Sequence, residues 1–207
     1  MSRARSLLIW SALVVAICVP IIAAALSPLL AWRDPIYIAA GLSGVIAMAL
    51  LLLQPLLAGG YLPVLSAQKS QRFHRWIGCI LVLAVLTHVA ALWITSPPDV
   101  VDALLFVSPT PFSAWGVVAM WTIFIAALLA IFRKSLRLRP RVWRLLHTVL
   151  AAITVGGTVV HALLIEGTME TLSKGVLCVL VVIATVKALV DLKVWVVKKR
   201  PNNNSHQ

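Results

Sequence analysis

Acidic residues are scarce in this chain: its 207 residues include 6 Asp and Glu against 18 Lys and Arg, and only 12% are charged. The chain is 61% hydrophobic, with a mean hydropathy of +1.01. A soluble domain of this length has no core large enough to bury that much apolar surface, so the composition predicts an integral membrane protein. The net charge of +12 would suggest nucleic-acid binding in a soluble protein, but here the basic residues lie between hydrophobic runs. We therefore expect membrane lipid, and no nucleic acid, as the partner.

Cysteine and nucleotide-binding motifs are also rare or missing. Cys18, Cys79 and Cys178 lie far apart inside apolar runs and form no CxxC, which argues against a disulfide framework and predicts small buried residues. The sequence has no strand-like alternation and no GxGxxG after a strand, so it does not predict a dinucleotide-binding domain.

Long apolar runs dominate the chain, and six of them are long enough to cross a bilayer as helices. They cover approximately residues 7–26, 37–58, 72–95, 114–132, 142–165 and 172–197. The predicted fold class is an all-α integral membrane protein with a six-helix bundle as one domain over residues 1–200. The first run resembles a signal peptide but is longer than a usual signal core, so we expect it to be retained. The polar tail 201–207 is predicted to be disordered.

The charges of successive loops alternate in sign. Two loops and both ends are basic; the other loops hold Arg33 and Lys174 but five of the six acids. Because cytoplasmic loops carry the excess of Lys and Arg, both termini are predicted to be cytoplasmic. The expected location is the plasma membrane, as a multi-pass protein of the bacterial inner membrane. The basic residues are Arg3, Arg5, Lys69, Arg72, Arg75, Arg133, Lys134, Arg137, Arg139, Arg141, Arg144, Lys193, Lys198, Lys199 and Arg200.

Four histidines lie on two of the predicted spans with the same spacing. His74 and His88 are fourteen residues apart on span three, and His147 and His161 are fourteen apart on span five. Fourteen helical residues bring a side chain back to within about 40° of the same face, about 21 Å further along. Since both spans run outwards from the cytoplasm, we expect His74 to face His147 near the inner surface. His88 should then face His161 near the outer one.

Paired imidazoles at two depths favour iron held in a porphyrin. An ionisable group in hydrocarbon is costly unless it is paired or bound, so these histidines are candidate functional residues. Imidazole is a normal axial ligand of haem, and the porphyrin supplies the other four donors. Zinc or copper without a porphyrin would require three or four ligands at one point.

Small and basic residues near the histidines fit this hypothesis. Gly78, Gly156 and Gly157 would leave room for a flat macrocycle, although glycine also allows close helix packing. Gly41 and Gly44 have a small-residue spacing that favours close helix approach. Three arginines flank the inner histidines and could pair with haem propionates, although orientation alone also explains their charge. These arginines are Arg72, Arg75 and Arg144.

Four tryptophans fall near the ends of predicted spans. Tryptophan is enriched at membrane interfaces, so interfacial anchoring is enough to explain this placement. They are Trp76, Trp93, Trp143 and Trp195.

These residues carry a family resemblance. The segment His74-Arg75-Trp76-Ile77-Gly78 with His88, and Trp143-Arg144-Leu145-Leu146-His147 with His161, resemble the ferric reductase-like transmembrane domain. That superfamily includes ferric-chelate reductases, NADPH oxidases and the haem subunit of the bacterial methionine-sulfoxide reductase system. The resemblance implies two b-type haems, one bound by His74 and His147 and the other by His88 and His161. It also implies that electrons pass from a cytoplasmic flavin donor to the inner haem, the outer haem and an acceptor outside.

The chain differs from the family pattern in two ways, which affect the expected electron donor and the expected number of haems. Family reductases usually continue into a cytoplasmic flavin- and nicotinamide-binding domain, but this chain ends soon after its last span. We therefore expect a separate flavoprotein reductase carrying FMN or FAD, or a quinol, as the donor. The resemblance further implies that methionine-sulfoxide reductase subunits lack the histidine equivalent to His74, so the chain is predicted to be a two-haem electron-transfer component with no catalytic residues of its own.

Two exposed segments are candidate contact regions for partners. The outer segment 96–112, with four prolines, is predicted to be a loop that caps the outer haem, receives an extracytoplasmic acceptor protein, or only connects two spans. The basic segment 133–144 could dock an acidic flavoprotein, although orientation already explains its charge.

Two other functions remain open from the sequence. A haem subunit of a quinol-linked dehydrogenase or of a methionine-sulfoxide reductase-type system would use the same histidines. A haem-free transporter would use them as a proton relay and would be expected to hold acids or broken helices at mid-membrane. Only Lys187 and Asp191 approach the membrane interior, one turn apart, where they can pair with each other.

Overall fold

A computed structural model describes residues 2–192 of the chain. Seven α-helices and one short 3₁₀ turn (Pro28–Leu30) account for most of this part, and it contains no strand. The helices are α1 (Arg3–Ala25), α2 (Pro35–Ala58), α3 (Ala67–Thr95), α4 (Pro97–Leu104), α5 (Pro111–Ile131), α6 (Pro140–Leu164) and α7 (Thr171–Asp191).

Six of these helices, all except α4, are long and apolar enough to cross a membrane. The predicted all-α class with six membrane-length helices is confirmed, and each of the six begins one to five residues before the predicted start. The predicted end of span six, 192–197, lies almost wholly outside the described residues, as does the tail 201–207.

Local sequence signals explain where the helices begin. Proline is the first residue of α2, α4, α5 and α6, where its missing N–H costs nothing and its fixed φ suits the first turn. At α2 the Asp34 side chain accepts a hydrogen bond from Ile36 N at 2.7 Å, and at α7 the Glu170 side chain accepts one from Ser173 N at 2.7 Å. Such caps satisfy N–H groups that the helix leaves without a partner.

The short helix α4 was missed from sequence. It lies in the segment 96–112, which was predicted to be an irregular loop. Pro97 begins it, and its buried residue Val100 faces the bundle. Four prolines favoured a loop prediction, but a proline in the first turn of a helix is compatible with the helix.

The three cysteines differ in burial. Cys178 on α7 is buried as predicted, whereas Cys18 on α1 and Cys79 on α3 are exposed on the outside of the bundle. The prediction of burial within the protein is therefore wrong for two of them. An apolar run that spans a membrane can direct any of its faces to lipid, so its apolar residues need not face a protein core.

The bundle consists of two tightly packed hairpins joined by α7. Helix α2 packs along α3, helix α5 packs along α6, and α7 contacts both α2 and α6. Leu177 and Val181 on α7 are fully buried, in one core cluster with Leu51 and Leu52 of α2. Within this bundle, the histidines of α3 and α6 face each other.

Candidate functional site

The site is formed by two pairs of histidines, each with one member on α3 and one on α6. The ring centroids of His74 and His147 are 6.2 Å apart, with ring planes at 76°. Those of His88 and His161 are 6.5 Å apart, with planes at 82°. The pairs are the ones expected from the spacing, while the role of these histidines as ligands stays a prediction.

The centroid distances fit one metal ion between the two rings of each pair. A metal–nitrogen bond is about 2.0 Å long and an imidazole nitrogen lies about 1.1 Å from its ring centre, so two imidazoles that bind one ion from opposite sides would have centroids about 6.2 Å apart. The observed distances of 6.2 and 6.5 Å are close to this value. Within residues 2–192, no group of three or more His, Cys, Asp or Glu side chains could hold a metal ion. The arrangement therefore suits an ion that receives its remaining ligands from a macrocycle.

Main-chain carbonyls fix the tautomer of three of the four histidines. His88 Nδ1 is 2.7 Å from Ala40 O, and His161 Nδ1 is 2.8 Å from Phe112 O. His74 Nδ1 is 3.2 Å from Gln54 O. Because a carbonyl oxygen only accepts, Nδ1 must carry the proton and donate it, and Nε2 keeps the lone pair that a metal requires.

The carbonyl acceptors repeat with the same period as the histidines. Ala40 and Gln54 are fourteen residues apart on α2, as His88 and His74 are on α3. The arrangement recurs on α5 and α6, where the acceptor Phe112 follows Ala40 by 72 residues and His161 follows His88 by 73. The two hairpins α2–α3 and α5–α6 are therefore structural repeats, and each supplies one histidine to each pair.

Two glycines allow the outer histidines to approach these carbonyls. Gly44 lies one turn after Ala40, and a Cβ there would lie 3.1 Å from His88 Nδ1. Gly116 lies one turn after Phe112, and a Cβ there would lie 2.7 Å from His161 Nδ1. Sequence reasoning missed Gly116 and assigned Gly44 to helix packing alone. The signal that could have found them is their separation of 72 residues, close to the 73 that separate the histidines.

The three glycines that were predicted to leave room for a macrocycle have different surroundings. A Cβ at Gly157 would lie 3.0 Å from Trp115 O and 3.2 Å from the Ala119 Cβ, so this residue brings α6 close to α5. A Cβ at Gly156 would meet no protein atom within 4 Å, and one at Gly78 would meet only the Gln54 side chain at 3.8 Å. Gly78 therefore borders space beside His74 that protein atoms do not fill, whereas Gly156 is exposed and lies about 180° around α6 from His147.

The predicted arginines lie at the same end of the bundle as the inner pair. Arg72 and Arg75 flank His74 on α3, Arg144 precedes His147 on α6, and all three are exposed. The Arg144 Nε donates to Pro140 O at 3.4 Å. Their guanidinium groups remain accessible to an anionic group at the surface.

The two histidine helices meet through their imidazoles and have little close backbone packing with each other. Close backbone packing joins α2 to α3 and α5 to α6, whereas α3 and α6, both wholly within the described residues, have almost no such packing with each other. They meet through their imidazoles instead. An apolar cavity of about 400 Å³ also opens between α3 and α5 in the half of the bundle that holds His88, lined by Leu86, Val89, Ala90, Trp93, Ile94, Met120 and Phe124.

A hydroxyl pair lies midway between the two histidine pairs. Thr154, seven residues from both His147 and His161, is buried, and its Oγ1 is 2.9 Å from Thr122 Oγ1. Each hydroxyl also lies within hydrogen-bond distance of a carbonyl of its own helix. Because a threonine hydroxyl can bond its own helix in this way, the pair is a satisfied polar contact between α5 and α6.

The predicted Lys187–Asp191 pair forms at the end of α7. The Lys187 Nζ is 2.8 Å from Asp191 Oδ2, and Tyr61 donates a 2.6 Å hydrogen bond to the same oxygen. Burial, together with the hydrogen bond to Asp191 and its negative charge, raises the pKa of Tyr61 to about 12. Because the acid and the base neutralise each other at the surface, this pair does not support a proton relay through the bundle.

One comparison with known proteins gave a match. The profile of a family described as ferric reductase like transmembrane component matches residues 43–158, which is more than half of the chain. The matched region contains Gly44, His74, His88, Gly116 and His147 and ends three residues before His161. No curated protein and no solved structure matches the chain.

Proposed function

We propose that this chain, which belongs to the ferric reductase like transmembrane component family, transfers electrons across a membrane with two b-type haems. His74 and His147 would bind one haem iron, and His88 and His161 the other. Each bound haem would supply a one-electron Fe(III)/Fe(II) couple. The main support is the geometry of the two imidazole pairs, which lie fourteen residues apart along both helices. In each pair the ring centroids are as far apart as expected for two imidazoles that bind one metal ion from opposite sides.

The surroundings of the histidines also support haem over a metal ion alone. Three Nδ1–H groups donate to carbonyls and leave Nε2 as the only metal-binding atom of each of those rings. Between the histidines, residues 76–87 of α3 and 148–160 of α6 include no charged side chain, as a macrocycle with apolar faces requires. Gly78, one turn after His74, borders space on α3 that protein atoms do not fill.

The basic loops support a direction for electron transfer. If these loops are cytoplasmic, the His74 and His147 pair is the inner one, and Arg72, Arg75 and Arg144 lie where they can bind the carboxylates of a bound haem. The exposed arginines and lysines of 133–144 would dock an acidic flavoprotein that carries FMN or FAD, or lie above a bound quinol. An acceptor, in solution or on an extracytoplasmic protein, would approach the outer pair near α4. The expected location remains the plasma membrane of a bacterium.

A haem count tests the proposal directly. We expect protein purified from haem-replete cells to show a reduced-minus-oxidised b-type spectrum and about two haems per chain in a pyridine haemochrome assay, the two axial pairs each holding one. Replacement of His88 by Ala should remove one of the two, because only the outer pair loses a ligand. The adjacent Thr87→Val variant is the matched control, since Thr87 is exposed and bonds only its own helix.

Two results would contradict the proposal. One is protein that is folded and free of haem after haem-replete expression. The other is an unchanged haem count in the His88→Ala variant, which would mean that the outer pair binds no haem.

A further inference from the structure

His147 differs from the other three histidines in how its ring is held. Its Nδ1 is buried and has no hydrogen-bond partner among the residues that the structure describes. If the fourteen-residue spacing of the acceptor carbonyls also holds on α5, the acceptor for His147 would be Ala126, fourteen residues after Phe112. The Ala126 carbonyl is near the ring but does not reach hydrogen-bond geometry. Since an axial imidazole needs a fixed plane, another contact must orient this ring.

Trp143 supplies that contact. Its ring is nearly parallel to the His147 imidazole, at 9°, with the centroids 5.4 Å apart. The two residues are four positions apart on α6, so they are neighbours on one helix face. The Arg133 guanidinium carbon lies 4.3 Å from the centre of the same indole, a distance typical of a cation–π contact. A line of three stacked side chains therefore leads from the basic surface to the inner pair.

The polar edge of Trp143 argues against a role in interfacial anchoring. Tryptophan at a membrane interface directs its N–H towards water or headgroups. Here Nε1 is buried and has no partner within the described part of the chain. The orientation of the indole is thus set by its ring faces, which contact His147 and Arg133.

We propose that Trp143 is the positioning residue of His147: its stacked indole, held by Arg133, fixes the imidazole plane in place of the main-chain hydrogen bond that orients the other three rings. The inference rests on the proposed function, because it concerns a histidine that binds haem. This stacking contact would orient a histidine of the inner pair only.

Electron paramagnetic resonance of the full, haem-loaded chain tests this role. The low-field g value of a low-spin ferric haem depends on the angle between its two axial imidazole planes, which is 76° for the inner pair. In Trp143→Leu we expect the inner signal to shift towards that of less perpendicular rings, and the inner site to lose about 10–100-fold in haem affinity. Trp143→Phe should restore most of the signal, because it keeps a flat ring.

Two further variants provide the assignment and the control. His88→Ala, which removes the outer haem, identifies the remaining signal as the inner one. Trp121→Leu is the matched control, since Trp121 is half exposed on α5 and contacts Phe124 rather than a histidine. Arg133→Gln should shift the inner signal in the same direction as Trp143→Leu but less, and it changes only an exposed side chain.

The outcomes separate this inference from the proposed function. Two haems per chain with both signals unchanged in Trp143→Leu and Arg133→Gln would overturn the positioning role and leave the proposed function intact. Equal shifts of both signals, or the same shift in Trp121→Leu, would also overturn it, because they indicate a general packing defect. A wild-type chain without haem would overturn the proposed function first.

Discussion

The outer and inner histidine pairs are built on the same repeated hairpin, yet their imidazoles are held differently. At the outer pair both Nδ1 atoms donate short hydrogen bonds, of 2.7 Å to Ala40 O and 2.8 Å to Phe112 O. At the inner pair His74 makes a longer bond of 3.2 Å, and His147 makes none within the described residues.

The residue one turn after each acceptor carbonyl also differs between the two pairs. At the outer pair this residue is glycine on both helices, Gly44 and Gly116. At the inner pair the corresponding positions are Ala58 and Ala130. We infer that a methyl group at this position hinders the approach of the imidazole to the carbonyl, because at Gly116 it would lie 2.7 Å from the ring nitrogen. On this inference, one methyl group per helix determines which pair is held by short main-chain hydrogen bonds.

This asymmetry has an expected chemical consequence. If the histidines bind haem as proposed, a hydrogen bond from Nδ1–H would make the imidazole a more basic ligand, which would favour the oxidised iron. We therefore expect the outer site to have a lower midpoint potential than the inner site. Three substitutions test whether the glycines cause this difference.

Gly116→Ala should have the largest effect. Its Cβ would lie 2.7 Å from Nδ1 and 2.9 Å from Cε1 of His161, so the ring must move off the Phe112 carbonyl. We expect loss of the outer haem, so that the pyridine haemochrome count falls from about two to about one per chain. The overpacking should also lower the free energy of unfolding by about 1–3 kcal/mol. Gly175→Ala is the matched control, since its Cβ would meet no atom within 4 Å. A full count in Gly116→Ala would show that the glycine does not determine binding.

Gly44→Ala should act in the same direction but less strongly. A Cβ here would lie 3.1 Å from His88 Nδ1 and 3.2 Å from Cε1, so a shift of a few tenths of an ångström accommodates it. The 2.7 Å bond to Ala40 should lengthen towards the 3.2 Å found at His74. We expect both haems to be retained and the outer midpoint potential to rise in a spectroelectrochemical titration. An unchanged outer midpoint potential would show that the length of this hydrogen bond does not cause the difference between the two sites.

Ala130→Gly is the reverse change and should have the smallest effect. Removing this methyl group should let His147 approach the Ala126 carbonyl, as His161 approaches Phe112. We expect the inner potential to fall, which narrows the gap between the two sites, at a helix cost of about 1 kcal/mol. The same titration measures it, and Ala127→Gly on the same helix is the control for that helix cost. A larger difference between the two midpoint potentials in Ala130→Gly would contradict this explanation.

The sequence alone predicted the helices and the pairing of the histidines. Apolar runs of about 20 residues have to form helices in a bilayer, because only a helix satisfies its own backbone there. The fixed rise and rotation of a helix then put His74 and His88 on one face, and His147 and His161 on another, at matching depths. The direction of the bundle stays a prediction from the loop charges.

Two features near the site could not be predicted with the same rules. Trp143 was interpreted as an interfacial anchor, because a tryptophan near a span end is usually one; only the 9° angle to His147 identifies its contact. Gly116 carried no local signal, because a single glycine in an apolar helix has many explanations. Its role depends on His161, which lies 45 residues later in the chain.

What the sequence determined by itself is therefore the set of four imidazoles, their depths and the helices that carry them. What the tertiary structure decided is which carbonyl the Nδ1 atoms of His74, His88 and His161 reach, and so which tautomer these three imidazoles adopt. Every residue of α2 and α5 has a carbonyl oxygen, so no residue type marks the acceptor. The acceptor is chosen by the register in which α2 packs along α3 and α5 along α6, and that register is a property of the packed helices.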